Sequence, residues 1–278
     1  MMTSRRYTTG MLILELCALI MALLFLVPFY FLLANSMKSF AEILLDAAAF
    51  PTKFVWSNYS RAWEIMKFPR AFGNSLFITI ISNAGLTLIS AMSAYRFVRR
   101  PTRLNNLLFT LFVAAMVIPF QSIMIPLMRV ANWFQLLDSR LGLFVCYLGF
   151  GVSMSVFLFH GFVKSIPMEI EESAVVDGSS PLGVFWRIVF PLLKPMTVTI
   201  IILNSLWIWN DFLLPSLLLG RPELRTIPLS TFSFFGQYTK QWDLALAALV
   251  MGITPIVVFF LSLQRHIIEG ITAGSVKG

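Results

Sequence analysis

Long apolar runs alternate with short polar stretches from one end of the chain to the other, and no polar linker or low-complexity segment divides it. A helix needs about 20 mostly apolar residues to cross the hydrocarbon core of a bilayer. Six runs meet that length, at roughly 11–34, 71–95, 104–128, 141–163, 196–219 and 244–263. The first, third and last are the clearest. The second carries Asn74, Asn83 and several Ser and Thr, and the fifth carries Asn204, Asn210 and Asp211, so both are expected to face other helices rather than lipid. The pattern predicts an all-α integral membrane fold, six transmembrane helices in one domain over residues 1–278.

Composition agrees with this reading. The chain is 58% hydrophobic and 12% charged, where a soluble domain runs roughly 45–50% apolar and about 25% charged. The net charge of +8 comes from cations scattered among apolar runs. That distribution lacks the continuous basic stripe a nucleic-acid binder needs and suits anionic lipid headgroups instead. Cys17 and Cys146 each sit inside an apolar run, which excludes a disulfide framework or a Cys-rich metal site. Arg5 and Arg6 ahead of the first run resemble the start of a secretory signal, but an apolar stretch of about 24 residues exceeds the roughly 7–15 of such a signal and is expected to remain as a span.

Six crossings place both termini on one side. Lys and Arg are nearly balanced between the two sets of loops, but the acid-free cluster Arg96-Phe97-Val98-Arg99-Arg100-Pro101-Thr102-Arg103 lies in a tight loop, where the positive-inside rule is strongest. The expected location of the termini is therefore the cytoplasm.

The polar stretch 164–194, between the fourth and fifth runs, carries the densest local signals. Pro167 suits a first helical turn, and Glu169, Glu171 and Glu172 follow at the positive end of the helix dipole. Gly178 fits a left-handed cap. Ser179 or Ser180 can cap a second short helix with Pro181 in its first turn, and Pro191 is expected to stop it. The expected product is a helix-turn-helix lying across the membrane face, with acids on one side and Ile170, Val175 or Val176 on another. Such a surface suits a protein partner.

Within this stretch, Glu172-Ser173-Ala174, three residues, Gly178, nine residues and Ile188-Val189-Phe190-Pro191 resemble the E-A-A-x3-G-x9-I-x-L-P motif of bacterial ABC importer permeases. Ser173 for Ala and Phe190 for Leu are the departures, and both keep the helix and its apolar contact. Asp177, the later Trp207-Ile208-Trp209-Asn210-Asp211-Phe212 and the ending Gly270-Ile271-Thr272-Ala273-Gly274-Ser275-Val276-Lys277-Gly278 resemble the sugar-importer branch, in particular the smaller permease subunit of the maltose importer. The resemblance implies a type I importer permease fold in a bacterial cell membrane, with the 164–194 loop as a coupling helix seated in a cytoplasmic ATPase. Glu169, Glu171, Glu172, Ser173, Ala174, Asp177, Gly178, Ile188 and Pro191 would then serve that contact, and the tail Gly274, Ser275, Val276, Lys277 and Gly278 would run toward the ATPase dimer. It further implies a second, similar permease, two ATPase subunits, an extracytoplasmic binding protein docking on loops at roughly 35–70 and 220–243, and a sugar or related polyol derivative as cargo.

The chain contains no G-x-x-x-x-G-K-[ST] loop, so ATP and Mg are expected on the partner ATPase and this chain is expected to carry no cofactor and no catalytic residue. H-E-x-x-H, G-x-S-x-G and paired-His spacings are also missing, which leaves no expected metal site, and His160 reads as a structural residue near a span end. The alternative class is an ion-coupled secondary transporter, which needs ionisable groups at mid-membrane; Glu15 can snorkel, so Asp211 is the one deep acid. Asn204, Trp207 and Asp211 share a helical face, an aromatic platform beside hydrogen-bonding groups that suits a sugar ring. The same residue types also join helices or anchor at interfaces. Asn83 and Gln121, polar and near mid-span, are further candidates for the solute path.

Overall fold

The computed structural model describes residues 9–236 and 241–275, the side chains of 265–275 excepted. It is built of helices, with no β-sheet among the described residues. The described residues fall into two compact units, one within Met1–Lys67 and Thr231–Met251 and the other within Phe68–Ser230 and Gly252–Gly278.

In the first unit α1 (Thr9–Ser36) is apolar on every side and buries only its last residues, Ala34, Asn35 and Ser36. A helix without a polar face is a lipid-facing helix. The polar loop beyond it folds back on its end. Asn35 donates to the carbonyls of Phe31 (2.8 Å) and Ala47 (3.0 Å), and Asn58 donates to those of Ser36 (3.1 Å) and Lys38 (2.8 Å). Lys38 is fully buried, with its ammonium on the Asp46 carbonyl at 3.0 Å. Ser39 caps the short α2 (Phe40–Leu45), and α3 (Ser57–Ile65) closes the segment.

The second unit is organised on α4 (Phe68–Arg99) and α7 (Arg140–Lys164), with α10 (Lys194–Asn210) packed against both. Close approach of α4 and α7 depends on Gly151, where a Cβ would lie 2.7 Å from Leu86 and 3.2 Å from the Trp207 ring. Toward one end Ala91, Ala94, Phe159, Val163, Val189 and Ile200 form a core, and toward the other Ile78, Leu86, Leu143, Tyr147, Ile208 and Leu214 form a second.

Among the described residues four helices are long and apolar enough to cross a membrane: α1, α4, α7 and the Trp242–Gln264 part of α12 (Trp242–Ser275). The number rises to six when each of two bent pairs counts as one crossing. One pair corrects the expectation of an uninterrupted third span. Its helices, α5 (Arg103–Ala115) and α6 (Phe120–Trp133), meet at 108°. Pro119 has no N–H to donate and biases Ile118 away from the helical region, so the last turn of α5 tightens into i→i+3 bonds and ends. The other pair is α9 (Pro181–Leu192) and α10, bent by 71°. Pro191 does not stop α9, as the sequence suggests. A π turn over Phe185–Val189 precedes it, helix continues through Leu192, and the break falls at Leu193. The expected fifth span also ends early, at Asn210. Asp211 leaves the helical region, its carboxylate accepts from the Leu213 and Leu214 N–H groups, and the short α11 (Leu213–Leu218) starts there.

At the N-terminal end of α7, Asp138 fastens the chain end of α11. Its carboxylate accepts from the N–H groups of Gly220 (2.6 Å) and Arg221 (2.9 Å), its own N–H donates to Leu218, and the Arg221 guanidinium reaches its carbonyl. The two backbone donors, with Arg221 nearby, hold the Asp138 carboxyl below its ordinary pKa. A depressed carboxylate pKa stabilises the fold above the ordinary value and ceases to do so as pH falls through the depressed one. Asp138→Asn should therefore lower the thermal midpoint at neutral pH, and the gap from wild type should close on acidification below about pH 4; melting curves recorded against pH for both proteins check this.

Candidate functional site

The stretch 164–194 folds as the local signals dictate. Between α7 and α8 (Met168–Val176) lies Pro167, immediately before the first helical residue, and Glu169 and Glu171 occupy the first turn. Gly178 takes φ +85°, with its N–H on the Val175 carbonyl (3.0 Å) and the Ser179 N–H on that of Ala174 (3.0 Å), the two bonds of a Schellman cap. Ser180, not Ser179, caps α9 by accepting from the Gly183 N–H at 3.2 Å.

The acids of α8 divide by direction. Glu171, only 5% exposed, turns into its own chain, where Oε1 receives Arg99 at 2.7 Å and Oε2 receives the Tyr95 hydroxyl at 2.8 Å. Arg99 also donates to the Ile166 carbonyl at 2.9 Å. Ala174 is buried beside it, and Ile188 is half-buried against the core at that end. Glu169, Glu172, Ser173, Asp177, Gly178 and Pro191 are exposed. So are the apolar side chains of Ile170, Val175, Leu182 and Val176, the last at 87%. A hollow of about 530 Å³ separates this helix from the end of α4, lined among others by Arg96, Arg100, Glu172 and Val176. Acids, valines and arginines thus meet on one exposed surface.

The polar face of α10 is turned against α7. Asn204 donates to Ser155 Oγ at 3.1 Å, the Trp207 ring meets that of Tyr147 edge-on at 5.4 Å, and the Tyr147 hydroxyl donates to Asp211 at 3.0 Å. Asn204 is buried, while Trp207 keeps 39% of its surface exposed. Asp211 is committed to Tyr147 and to capping α11, which leaves ion coupling little to stand on.

A separate cavity of about 440 Å³ opens between α4, α10 and α12. Asn83 lines it and donates to the Thr79 carbonyl (2.9 Å) and Ser205 Oγ (3.1 Å). Thr79, Thr87, Ser205, Trp209 and Phe259 complete much of the wall, and the Trp209 indole donates to the Gly252 carbonyl at 3.0 Å. Asn83 Oδ1 and the hydroxyls of Thr79 and Thr87 are buried without a hydrogen-bond partner. The sequence reading singled out Asn83 but missed Ser205 and Trp209, which lie on the neighbouring face of α10. The Thr79–Asn83–Thr87 ladder, at i, i+4 and i+8, was the available signal.

Gln121 is exposed in the first turn of α6 and belongs to neither group. His160 stacks on Phe109 with ring centroids 3.7 Å apart. Of the tail, Gly274 and Ser275 continue the α12 backbone, while Val276, Lys277 and Gly278 lie outside the described residues. The described residues contain no group of His, Cys, Asp and Glu able to hold a metal ion.

Comparison with known proteins bears on these observations. The chain is 41% identical over 265 residues to the probable starch degradation products transport system permease protein AmyC of Thermoanaerobacterium thermosulfurigenes, covering 95% of this chain and 96% of that one. It is 36% identical over 273 residues, 98% of each chain, to the melibiose/raffinose/stachyose import permease protein MelC of Bacillus subtilis (strain 168). Its fold matches a chain from the crystal structure of a bacterial ABC transporter involved in the import of the acidic polysaccharide alginate, with a TM-score of 0.79 at 22% identity, over 94% of this chain and 99% of that one. A family model matches residues 66–272. With that match extending over both cores and the 164–194 loop, and with relatives similar along nearly the whole length, the chain belongs to the family of binding-protein-dependent transport system inner membrane components, the permease subunits of ABC importers.

Proposed function

We propose that this permease subunit forms half of the path by which a sugar, an oligosaccharide or related polyol derivative, is drawn across a bacterial cell membrane at the expense of ATP hydrolysed by a separate subunit. The cargo class is supported by the names of relatives, which refer to starch degradation products, to melibiose, raffinose and stachyose, to multiple sugars and to arabinooligosaccharides. Within that class the pattern of the 164–194 loop and the tail resembles the smaller permease of the maltose importer. A second permease completes the path, two ATPase subunits sit on the cytoplasmic face, and an extracytoplasmic binding protein delivers the cargo to loops near 35–70 and 220–243. Both termini lie in the cytoplasm, on the side of the Arg96–Arg103 cluster.

The observation that carries the coupling assignment is the division of labour on α8. Glu171 is consumed by Arg99 and Tyr95, whereas Glu172 stands exposed beside Val175 and Val176. Glu172 is then the acid offered to a cation of the ATPase, and the valines supply the apolar contact. Glu172→Ala removes one side of a charge pair that is partly buried on docking, at a cost of about 2–5 kcal/mol if it is hydrogen-bonded. The expected result is a chain that inserts normally but retains little ATPase on affinity purification and transports no sugar. Full retention of the ATPase with normal transport would remove the docking assignment.

Two α10 side chains separate path from scaffold. Trp207, with an exposed ring flank, is proposed to meet passing sugar, and Asn204, bonded to Ser155, to hold α10 on α7. Trp207→Ala should then lower sugar transport per assembled complex while the yield of complex stays near normal. Asn204→Ala should lower yield by leaving the buried Ser155 hydroxyl without its partner, at about 1–3 kcal/mol. Yield and transport measured on the same preparations decide, and the reverse pattern would exchange the two roles.

A further inference from the structure

Both functional ends of the second unit are bolted to one helix. At its C-terminal end, α4 holds the coupling helix through Tyr95 and Arg99 on Glu171, and Arg99 also fixes the Ile166 carbonyl just before that helix. At its N-terminal end, α4 holds the start of the 220–243 loop. Asn74 donates to the carbonyls of Glu223 (2.9 Å) and Arg225 (3.0 Å), and Ser75 Oγ accepts from the Ile227 N–H at 2.9 Å. Arg140, from the first residue of α7, donates to Asn74 Oδ1 at 2.8 Å and so fixes which way the amide points. Asn74 and Ser75 are buried, as is Glu171.

These bonds are not incidental to packing. Asn74 spends its oxygen and its amide nitrogen on three separate partners, two of them roughly 150 residues away in sequence. Glu171 spends both oxygens on charged or hydroxyl donors in a half-closed site, where such bonds are about twice as strong as neutral ones. Past Pro69 no proline interrupts α4, and at 1.5 Å per residue Asn74 and Arg99 lie roughly 38 Å apart along it. A continuous helix of that length is stiff compared with the loops at its ends, so a displacement imposed at one clamp is carried to the other.

We propose that α4 positions the coupling helix relative to the 223–227 segment, with Arg99 and Tyr95 as positioning residues at the ATPase end and Asn74, oriented by Arg140, as the positioning residue at the binding-protein end. The proposal rests on the importer reading above and adds the element that links delivery of cargo to ATP hydrolysis. None of these four residues needs to touch sugar or ATP. Loss of either clamp leaves the permease assembled but lets the 223–227 segment and the coupling helix move independently.

The test uses the whole complex, isolated through an affinity tag on this chain and reconstituted in phosphatidylethanolamine–phosphatidylglycerol vesicles with its binding protein. ATP hydrolysis per complex is measured with and without binding protein loaded with maltotriose or raffinose. Asn74→Ala and Arg99→Ala should each lower the stimulated-to-basal ratio by about tenfold, within the usual range of coupling between sites. The double variant should be no worse than the more severe single one, because one broken link already severs the tie; independent sites this far apart give multiplied effects instead. Tyr95→Phe, which removes a single hydroxyl and no packing volume, should give a smaller loss of the same kind, and Arg99→Lys should restore part of the ratio. Normal stimulation in Asn74→Ala and Arg99→Ala, or multiplied losses in the double variant, would overturn the tie while leaving the importer reading in place. A wild-type complex that holds no ATPase, or that neither sugar stimulates, would overturn the importer reading and this inference together.

Discussion

Lipid supplies no hydrogen bonds, so every backbone N–H and C=O that enters it must be satisfied within the protein. That constraint favours helix throughout the spans, and several helix ends coincide with a local device that satisfies freed groups. At Met116–Pro119 the last N–H groups of α5 fall back on i→i+3 bonds. At Asp211 a carboxylate receives the first donors of α11. At Gly178 a Schellman pair closes the end of α8. The breaks are therefore few and chemically specific, and they are where this permease changes direction.

The same constraint governs the side chains. Asn74, Asn83, Asn204 and Asp211 all stand in or beside apolar runs, and each donates or accepts within the unit that contains it. Asn83 Oδ1 and the hydroxyls of Thr79 and Thr87 have no hydrogen-bond partner at the cavity beside α4. Bonds from α4 to the 223–227 segment, to α10 and to α8 make it the common neighbour of the polar groups in the second unit. Stability and transmission draw on the same contacts, since a bond that holds two elements in register also passes on the motion of either.

Much of the coupling loop was legible residue by residue. Proline before an acid-rich turn, glycine at its end, and serine then proline at the next start are local instructions, and the chain follows them at Pro167, Gly178, Ser180 and Pro181. The motif Glu172 to Pro191 also marked the family. Less legible were the surroundings of the polar α10 residues. Helical spacing puts Asn204, Trp207 and Asp211 on one side, where Asn204 and Asp211 are bonded to α7 and Trp207 stays partly exposed, whereas the 440 Å³ cavity lies on the face of Ser205 and Trp209. Periodicity states which side chains are neighbours on a helix and says nothing about what stands opposite them.

By itself, then, the sequence determined the membrane class, the positions of the apolar runs and the caps of the 164–194 loop, because hydropathy, proline chemistry and helix capping act over a few residues. Only the tertiary structure decided that the third run bends at Pro119, that α9 continues past Pro191 and breaks at Leu193, and that among three nearby acids Glu171 turns inward while Glu172 stays out. The choice between those acids depends on Arg99 and Tyr95, about 70 residues upstream, whose approach is set by how α4 packs on α7. No local rule contains that distance, since the direction of a side chain is fixed by the partner that the fold brings to it.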